Sequence, residues 1–272
     1  MSMEYDSYRA GLSWQTDIWN RMSDVYMREI DRRFVPVIEQ VIARAGLRPG
    51  ERALDIGAGT GSVALRAATL VAPGGSVTGI DISSEMLALA RRRAEELGLD
   101  DISFREGRAE AIPADDDAFD AALASLSLMY VIDREAAASE IARVIRPGGR
   151  LVAATWAGPE QCDIARFQQI VGSFAPTPPV SGVSPWALAD PTPFLAQLAD
   201  AGIDARVETA TLDFSFDDFA SVWEALAGVT VAQLTPEQRR EAQAAVMAEM
   251  WPNGDGPRHF RNATHFITGQ RR

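Results

Sequence analysis

Five residues set the chemical problem. Asp55, Gly57, Gly59 and Gly61 fall at alternate positions in "LDIGAGTGS", residues 54–62, and Asp81 ends the run "SVTGID", residues 76–81. Glycine at every second position strips side chains from a loop that something must approach closely. An acid at the end of the following strand can accept the hydroxyl hydrogens of a ribose. Together they predict a nucleoside site. The dinucleotide pattern G-x-G-x-x-G fits it poorly, because the third glycine comes one place early and Ser62 stands where that pattern wants it. A carboxylate at Asp55 would also oppose a pyrophosphate, whereas it suits a cofactor that carries a sulfonium and an ammonium group.

A sheet must hold these residues. From residue 51, short apolar runs alternate with helical periodicity: "RALDIG", "SVTGID", "ISFREG", "FDAALASLS" and "GRLVAATW" read as strands. "SVALRAATLVA", "SSEMLALARRRAEELG" and "DREAAASEIARVIRPGG" read as helices, the second capped by Ser83 or Ser84, the third stopped at Pro147 and Gly148. Such alternation predicts a mainly parallel sheet covered on both faces. Ligands of such sheets bind beyond the carboxyl ends of the strands, which is where the glycines and Asp81 fall. Residues 13–46 read as helix with a break at Pro36. Residues 157–193 read as a long irregular excursion, followed by a helix and a strand up to residue 216. Two helical segments fill 217–250, the second capped by Thr235 with Pro236 at its first position, and "FRNATHFITGQ" closes as a last strand.

Composition excludes several classes. The formal net charge is −12 and all 26 basic residues are arginine, so no basic face for nucleic acid is expected. The densest arginine run, "ARRRAEE" at 90–96, reads as a solvated helix face. The polar, acidic start is unlike a signal peptide, and no apolar run reaches the roughly 18 residues of a membrane span; a cytoplasmic location is the expectation. The single cysteine, Cys162, reads as a packed thiol and excludes an intrachain disulfide. No Ser–His–Asp arrangement and no metal-ligand spacing stands out. His265, in the last strand, reads as structural.

The blocks "LDIGAGTG", "GIDISSEMLALAR", "EGRAEAIP", "FDAALASLSLMYVID" and "IARVIRPGGRLV" resemble, in order and spacing, the class I S-adenosylmethionine-dependent methyltransferases. They look most like the branch of ubiquinone and menaquinone biosynthesis C-methyltransferases and related small-molecule methyltransferases. The resemblance covers residues 35–156 well and the ends loosely. It implies an α/β fold with a Rossmann-like, mainly parallel seven-stranded sheet, helices on both faces, an N-terminal helical lid (1–46), a cofactor-binding core (47–156) and a C-terminal part with cap insertions (157–272). S-adenosyl-L-methionine is the implied cofactor. Asp55, Gly57 and Gly59 would line its methionine part, Asp81 would hold the ribose, Ile82 and Met86 would flank the adenine, Gly107, Arg108 and Ala109 would edge the base, and Ser125 would meet the ammonium group. Arg108 departs from the family, which often has an aspartate there to accept from the adenine amino group; arginine has no acceptor. Either Glu110 or a backbone carbonyl substitutes, or the Arg108 side chain turns outward.

The implied reaction is methyl transfer to a small, neutral or aromatic molecule by in-line displacement, driven by positioning and desolvation. Tyr130 and His259 are the candidate acceptor or base contacts. The acceptor pocket is expected between the N-terminal helices and residues 157–262, where Trp156, Phe167, Phe174, Trp186, Phe219, Trp223 and Trp251 gather. Tyr5, Tyr8, Trp14, Trp19 and Tyr26 crowd into residues 1–28, with Trp14, Ile18, Met22 and Val25 on one helical stripe, which predicts a lid with one face on the domain and one on the ligand. A homodimer is compatible with the sequence. Two other readings stay open: an NAD-dependent dehydrogenase, and a protein that binds S-adenosylmethionine without transferring its methyl group.

Overall fold

The computed structural model describes residues 2–231 and 234–272, and of residues 2–5 and 229 only the backbone; Met1 and the Tyr5 ring, both expected in the lid, lie outside the described residues. The strands β1 (Arg52–Ile56), β2 (Ser76–Asp81), β3 (Ile102–Glu106), β4 (Phe119–Ser125), β5 (Ile145–Trp156), β6 (Ile203–Phe216) and β7 (Arg258–Arg271) form one sheet in the order β3-β2-β1-β4-β5-β7-β6. The first five are parallel, and β7 is inserted antiparallel to both neighbours. β1, β4 and the end of β5 are buried in unbroken runs rather than alternately. That pattern requires cover on both faces. The order reverses at β1, so its carboxyl end and that of β4 flank the crevice.

Helices α2 (Val35–Ala45) and α3 (Ser62–Val71) pack together against β1, β2, β4 and β5, α4 (Ser84–Glu96) packs on β2 and β3, and α5 (Arg134–Val144) packs on β5. Each of these ends or begins on a recognisable signal. Ser83 caps α4 by accepting from Met86 N, and Asp133 caps α5 by accepting from Ala136 N. Gly46 ends α2 in the left-handed conformation that favours glycine.

The sequence reading misses at several points. Helix α1 starts at Ser2, not near residue 13, and runs to Val25. A π-helical turn, Tyr26–Ile30, follows, closed by Asp31 N donating to Tyr26 O at 3.0 Å. The break between helices falls before Pro36, which sits in the first turn of α2, where its missing N–H costs nothing. α5 stops at Val144, and residues 145–149 already belong to a bulged start of β5. The excursion holds a helix, α6 (Asp163–Gly172), before α7 (Thr192–Asp200). Three helical pieces follow β6: α8 (Phe219–Leu226), α9 (Gly228–Val231) and α10 (Pro236–Met250), the last with Thr235 and Gln238 capping each other. Among the described residues no helix is long and apolar enough to cross a membrane.

Candidate active site

Backbone builds the floor. Gly57 N and Ala58 N donate to Ile80 O at 2.8 and 2.9 Å, which clamps the glycine loop to the end of β2. All three glycines have positive φ, +72°, +54° and +87°, but they are bare for different reasons. A Cβ on Gly57 would lie 2.4 Å from Ser127 Cβ, and one on Gly61 would lie 3.1 Å from Ala90 Cβ. A Cβ on Gly59 would meet nothing within 4 Å. Gly59 alone therefore faces open space, while Gly57 makes room for the loop after β4 and Gly61 for the packing of α4. That loop is strained to reach Gly57: Leu126 holds φ +56°, which costs a non-glycine residue about 1–2 kcal/mol, and Ser127 Oγ donates to Ile56 O at 2.6 Å.

The two acids are held differently. Asp55 is 1% exposed. Its Oδ2 accepts from Ala64 N at 3.0 Å and so caps α3, whose N-cap residue, Gly61, has no side chain to do so. Its Oδ1 is buried with no hydrogen-bond partner. Burial raises this carboxyl to about 7, against the lowering effect of the Ala64 amide and with the Asp81 charge adding to the rise. Asp81 accepts from Gly59 N at 2.8 Å and from Ser83 N at 2.9 Å. Burial raises its pKa too, opposed by those backbone donors.

Above this floor lies a cleft of about 800 Å³, counting its opening to solvent. Gly57, Gly59, Asp81, Ile82, Met86 and Ser125 line it, as do Gly107, Arg108 and Ala109. Asp55 lines a smaller adjoining cavity, which shares Tyr26, Gly57, Gly59, Ser125 and Leu126 with the main one. The structure thus gathers every residue singled out for the cofactor around two neighbouring spaces that share five lining residues. The Arg108 side chain is exposed, its guanidinium 5.9 Å from the centroid of the Tyr8 ring, so it turns outward. Glu110 accepts from Ile132 N at 3.2 Å and ties two loops together.

The opposite wall is helical. Leu12, Gln15 and Trp19, spaced by three and four, share one face of α1 and line the cleft with Tyr26. The other stripe, Ile18 and Met22, is buried with Ile30 and Met86 against α4. Polar ties fasten this wall to the floor. Ser83 Oγ donates to Asn20 Oδ1 at 2.7 Å. Thr60 Oγ1 and Arg93 Nη1 both donate to Asp31 Oδ2, at 2.5 and 2.8 Å, and Arg93 also donates to Thr60 O at 2.8 Å. The arginine run is therefore not a solvated face as a whole. Arg93 is an internal latch, and Arg91 Nη2 donates to Phe104 O. Trp19 could be found from its place in the aromatic crowd, whereas Gln15, Asp31, Thr60 and Arg93 carry no local signal.

Tyr130 lines the cleft on the turn after β4, its ring 5.1 Å edge-on from that of Trp19. Burial raises its phenol well above the ordinary value, which keeps it protonated: a hydrogen-bond donor, not a base. His259 is not brought to the cleft. It is exposed on β7, within a strand rather than a loop, and its Nδ1 pairs with Ser215 Oγ at 3.0 Å across the β6–β7 ladder. His265 is satisfied on both nitrogens, by Thr209 Oγ1 at 2.8 Å and Ala189 O at 3.0 Å. Cys162 is buried beside Asn262, and burial pushes its thiol up to about 12. Nor do the aromatics of 156–251 line the cleft. Trp156 stacks edge-on with Phe34 and Phe214, and Trp223 and Trp251 pack around Phe219. The C-terminal part instead backs α1, where Val180 fills the space at Gly11 and Met22 fills that at Gly228.

A doubly covered α/β sheet whose glycine loop and two carboxylates line neighbouring spaces beneath a helical cover has the Rossmann-like architecture that binds ligands beyond its strand ends. Residues 47–170 match the methyltransferase domain family. The chain is 31% identical over 242 residues to nocamycin O-methyltransferase of Saccharothrix syringae, covering 87% of this chain and 81% of that one. It is 32% identical over 163 residues to the ubiquinone/menaquinone biosynthesis C-methyltransferase UbiE of Hahella chejuensis, covering 60% and 63%. Among solved structures, the YcgJ protein of Bacillus subtilis superposes with a TM-score of 0.65 at 22% identity, over 87% of this chain and 98% of the other. Against the mycobacterial proteins it matches at 38% identity over 116 residues, the chain spans 41% of their length. The chain belongs to the class I S-adenosylmethionine-dependent methyltransferases. Nothing in these comparisons favours the dehydrogenase reading.

Proposed function

We propose that this chain binds S-adenosyl-L-methionine and transfers its methyl group to a small, uncharged molecule. One observation carries the reading: Asp55, whose buried Oδ1 has no partner, lines the same cavity as the bare Gly59 backbone. Such an orphan acceptor suits a ligand that brings its own positive charge. In this reading Asp55, Gly57 and Gly59 hold the methionine part, with Ser125 near its ammonium group. Asp81 keeps free lone pairs for two ribose hydroxyls beside the two backbone donors it already accepts. Ile82 and Met86 flank the adenine, and Gly107 and Ala109 edge it through backbone groups, since the Arg108 side chain points away.

S-adenosylmethionine supplies a methyl group already activated on a sulfonium. The chain's own work is then to place the acceptor in line and keep water out. Positioning of that kind is worth up to roughly 7–11 kcal/mol of barrier. The α1 wall, held down by Asn20 and Asp31, excludes water from the cleft and acts as a lid. Tyr130 contacts the acceptor as a donor. Residues 47–156 bind the cofactor, 1–46 cover it, and 157–272 support the cover.

Calorimetry tests the first half: S-adenosylhomocysteine should bind and NAD should not, and tighter NAD binding overturns the assignment. Mass spectrometry of a metabolite extract incubated with methyl-labelled cofactor tests the second. A labelled product is expected; binding without any labelled product would mean that the methyl group is not transferred.

A further inference from the structure

Gln15 has no role in the reading above, and it is out of place. It is 5% exposed, on the α1 face between Leu12 and Trp19 that lines the cleft. Its amide Nε2 is buried with no hydrogen-bond partner. A buried donor left unpaired is a cost that native proteins rarely carry without a reason. Leu12 and Trp19, three before and four after it on the same face of α1, line the cleft with it, and Tyr130 and Val131 are among the other lining residues. Trp19 stands edge-on to Tyr130 at 5.1 Å and to Tyr26 at 6.3 Å, which leaves ring surfaces to grip a flat molecule.

Charge narrows the occupant. Asp81 and Glu110 line the same cleft, and Asp55 lines the adjoining cavity. An anionic group would meet two acids, with Arg108, exposed over Tyr8, as the one cation among the described lining residues. An uncharged molecule bearing an acceptor oxygen would meet the unpaired amide.

Resting on the methyltransferase reading, we infer that Gln15 is the specificity residue of the acceptor subsite, donating from Nε2 to a carbonyl oxygen of a flat, uncharged molecule held against the paired Trp19 and Tyr130 rings where they line the cleft. The subsite rejects the carboxylate analogue of the same shape through the acids that share the cleft. It rejects the hydrocarbon analogue because that would leave the amide unpaired, the kind of mismatch that discriminates most strongly.

Three probes of matched shape test this: 2-acetylnaphthalene, 2-isopropenylnaphthalene and 2-naphthoate, titrated by equilibrium dialysis onto the full chain saturated with S-adenosylhomocysteine. The acetyl compound should bind at least about tenfold more tightly than either analogue. That ranking on the wild-type chain needs no variant. In Gln15→Met, of similar length and without an N–H, the advantage of acetyl over isopropenyl should fall below about twofold while S-adenosylhomocysteine affinity stays put. The proposal is overturned if 2-naphthoate binds best, if none of the three binds, or if Gln15→Met keeps the acetyl preference. Calorimetry of S-adenosylhomocysteine alone comes first. Its failure would sink the cofactor reading by itself, and the three probes are then compared on the cofactor-free chain, so the two failures are told apart.

Discussion

The two walls of the cleft are made in different ways. The sheet wall is set by backbone: amides of Gly57, Ala58 and Gly59 are fixed on Ile80 and Asp81, and strained turns at Leu126 and the glycines fill the gaps. The α1 wall is set by side chains reaching across long sequence distances, Asn20 to Ser83 and Asp31 to Arg93. A wall of the first kind can move only by unfolding the end of the sheet. A wall of the second kind can lift when a few polar ties and one small apolar cluster give way. In the proposed function the cofactor is held by the first wall and the acceptor is selected by the second.

The largest expected effect breaks the sheet wall. Gly57→Ala places a methyl group 2.4 Å from Ser127 Cβ at a φ of +72°. It should cost about 2–4 kcal/mol of stability by urea unfolding. Gly59→Ala, with the same kind of φ and open space, should cost only about 1 kcal/mol yet weaken S-adenosylhomocysteine binding more than its stability loss implies. Equal destabilisation by the two would mean that the glycines do not differ as the geometry says. Ser127→Gly should recover part of the loss in Gly57→Ala and none in Gly59→Ala.

Asp81→Ala comes next. It removes two acceptors for ribose, each worth roughly 1.5–3 kcal/mol, and unties Gly59 as well. S-adenosylhomocysteine affinity should fall at least about a hundredfold, read by calorimetry. An unchanged affinity would place the ribose elsewhere.

The same difference explains why the sheet wall is legible residue by residue, whereas of the helical wall the sequence shows the aromatic crowd and the Ile18–Met22 stripe but not the ties that fasten it. The glycine spacing, Asp55 and Asp81 are local consequences of a strand ending in a loop, so the order of residues along the chain reports them. Ser83 as the cap of α4 is local too. Asp31, Thr60 and Arg93 meet only after folding, and an arginine in "ARRRAEE" looks the same whether it faces water or Asp31. α6 is hidden in the sequence because its ten residues lie between stretches rich in proline and glycine. His259 is held away from the cleft because β7 continues past its apolar alternation, paired rung by rung with an equally long β6. The aromatics of the C-terminal part do not line the cleft, and composition cannot show that, because it gives how many rings there are and not which way they point.

A smaller effect loosens the helical wall. Arg93→Gln removes the charged donor from Asp31 and Thr60 and should cost about 2 kcal/mol. The loss should be local. Hydrogen exchange in residues 6–30 should quicken while that in β1 and β4 does not, and S-adenosylhomocysteine should restore part of the protection in the variant. Uniform quickening across the sheet would show that α1 is part of one cooperative unit with the floor and no lid.

The smallest effect concerns the proton on Asp55. With its carboxyl raised to about 7 by burial, the folded chain holds this proton more tightly than the unfolded chain, whose carboxyl titrates near 4. Raising the pH from about 4 to 7 therefore costs the cofactor-free fold stability through this group, and the cost levels off above 7. Binding has the opposite sign. A ligand that brings an ammonium group to Oδ1 needs the carboxylate, so below about pH 7 it must first displace the proton. Between pH 8 and pH 6, S-adenosylhomocysteine affinity should fall about tenfold, the equivalent of about 1.4 kcal/mol. Asp55→Asn keeps an oxygen to accept from Ala64 N and removes the titration, so its affinity should be weaker at pH 8 and nearly flat down to pH 6. If the wild-type chain is equally flat, the orphan oxygen does not meet the ammonium group. If Asp55→Asn keeps the slope, another group carries it, and Asp81, whose pKa is also raised by burial, is the one to substitute next.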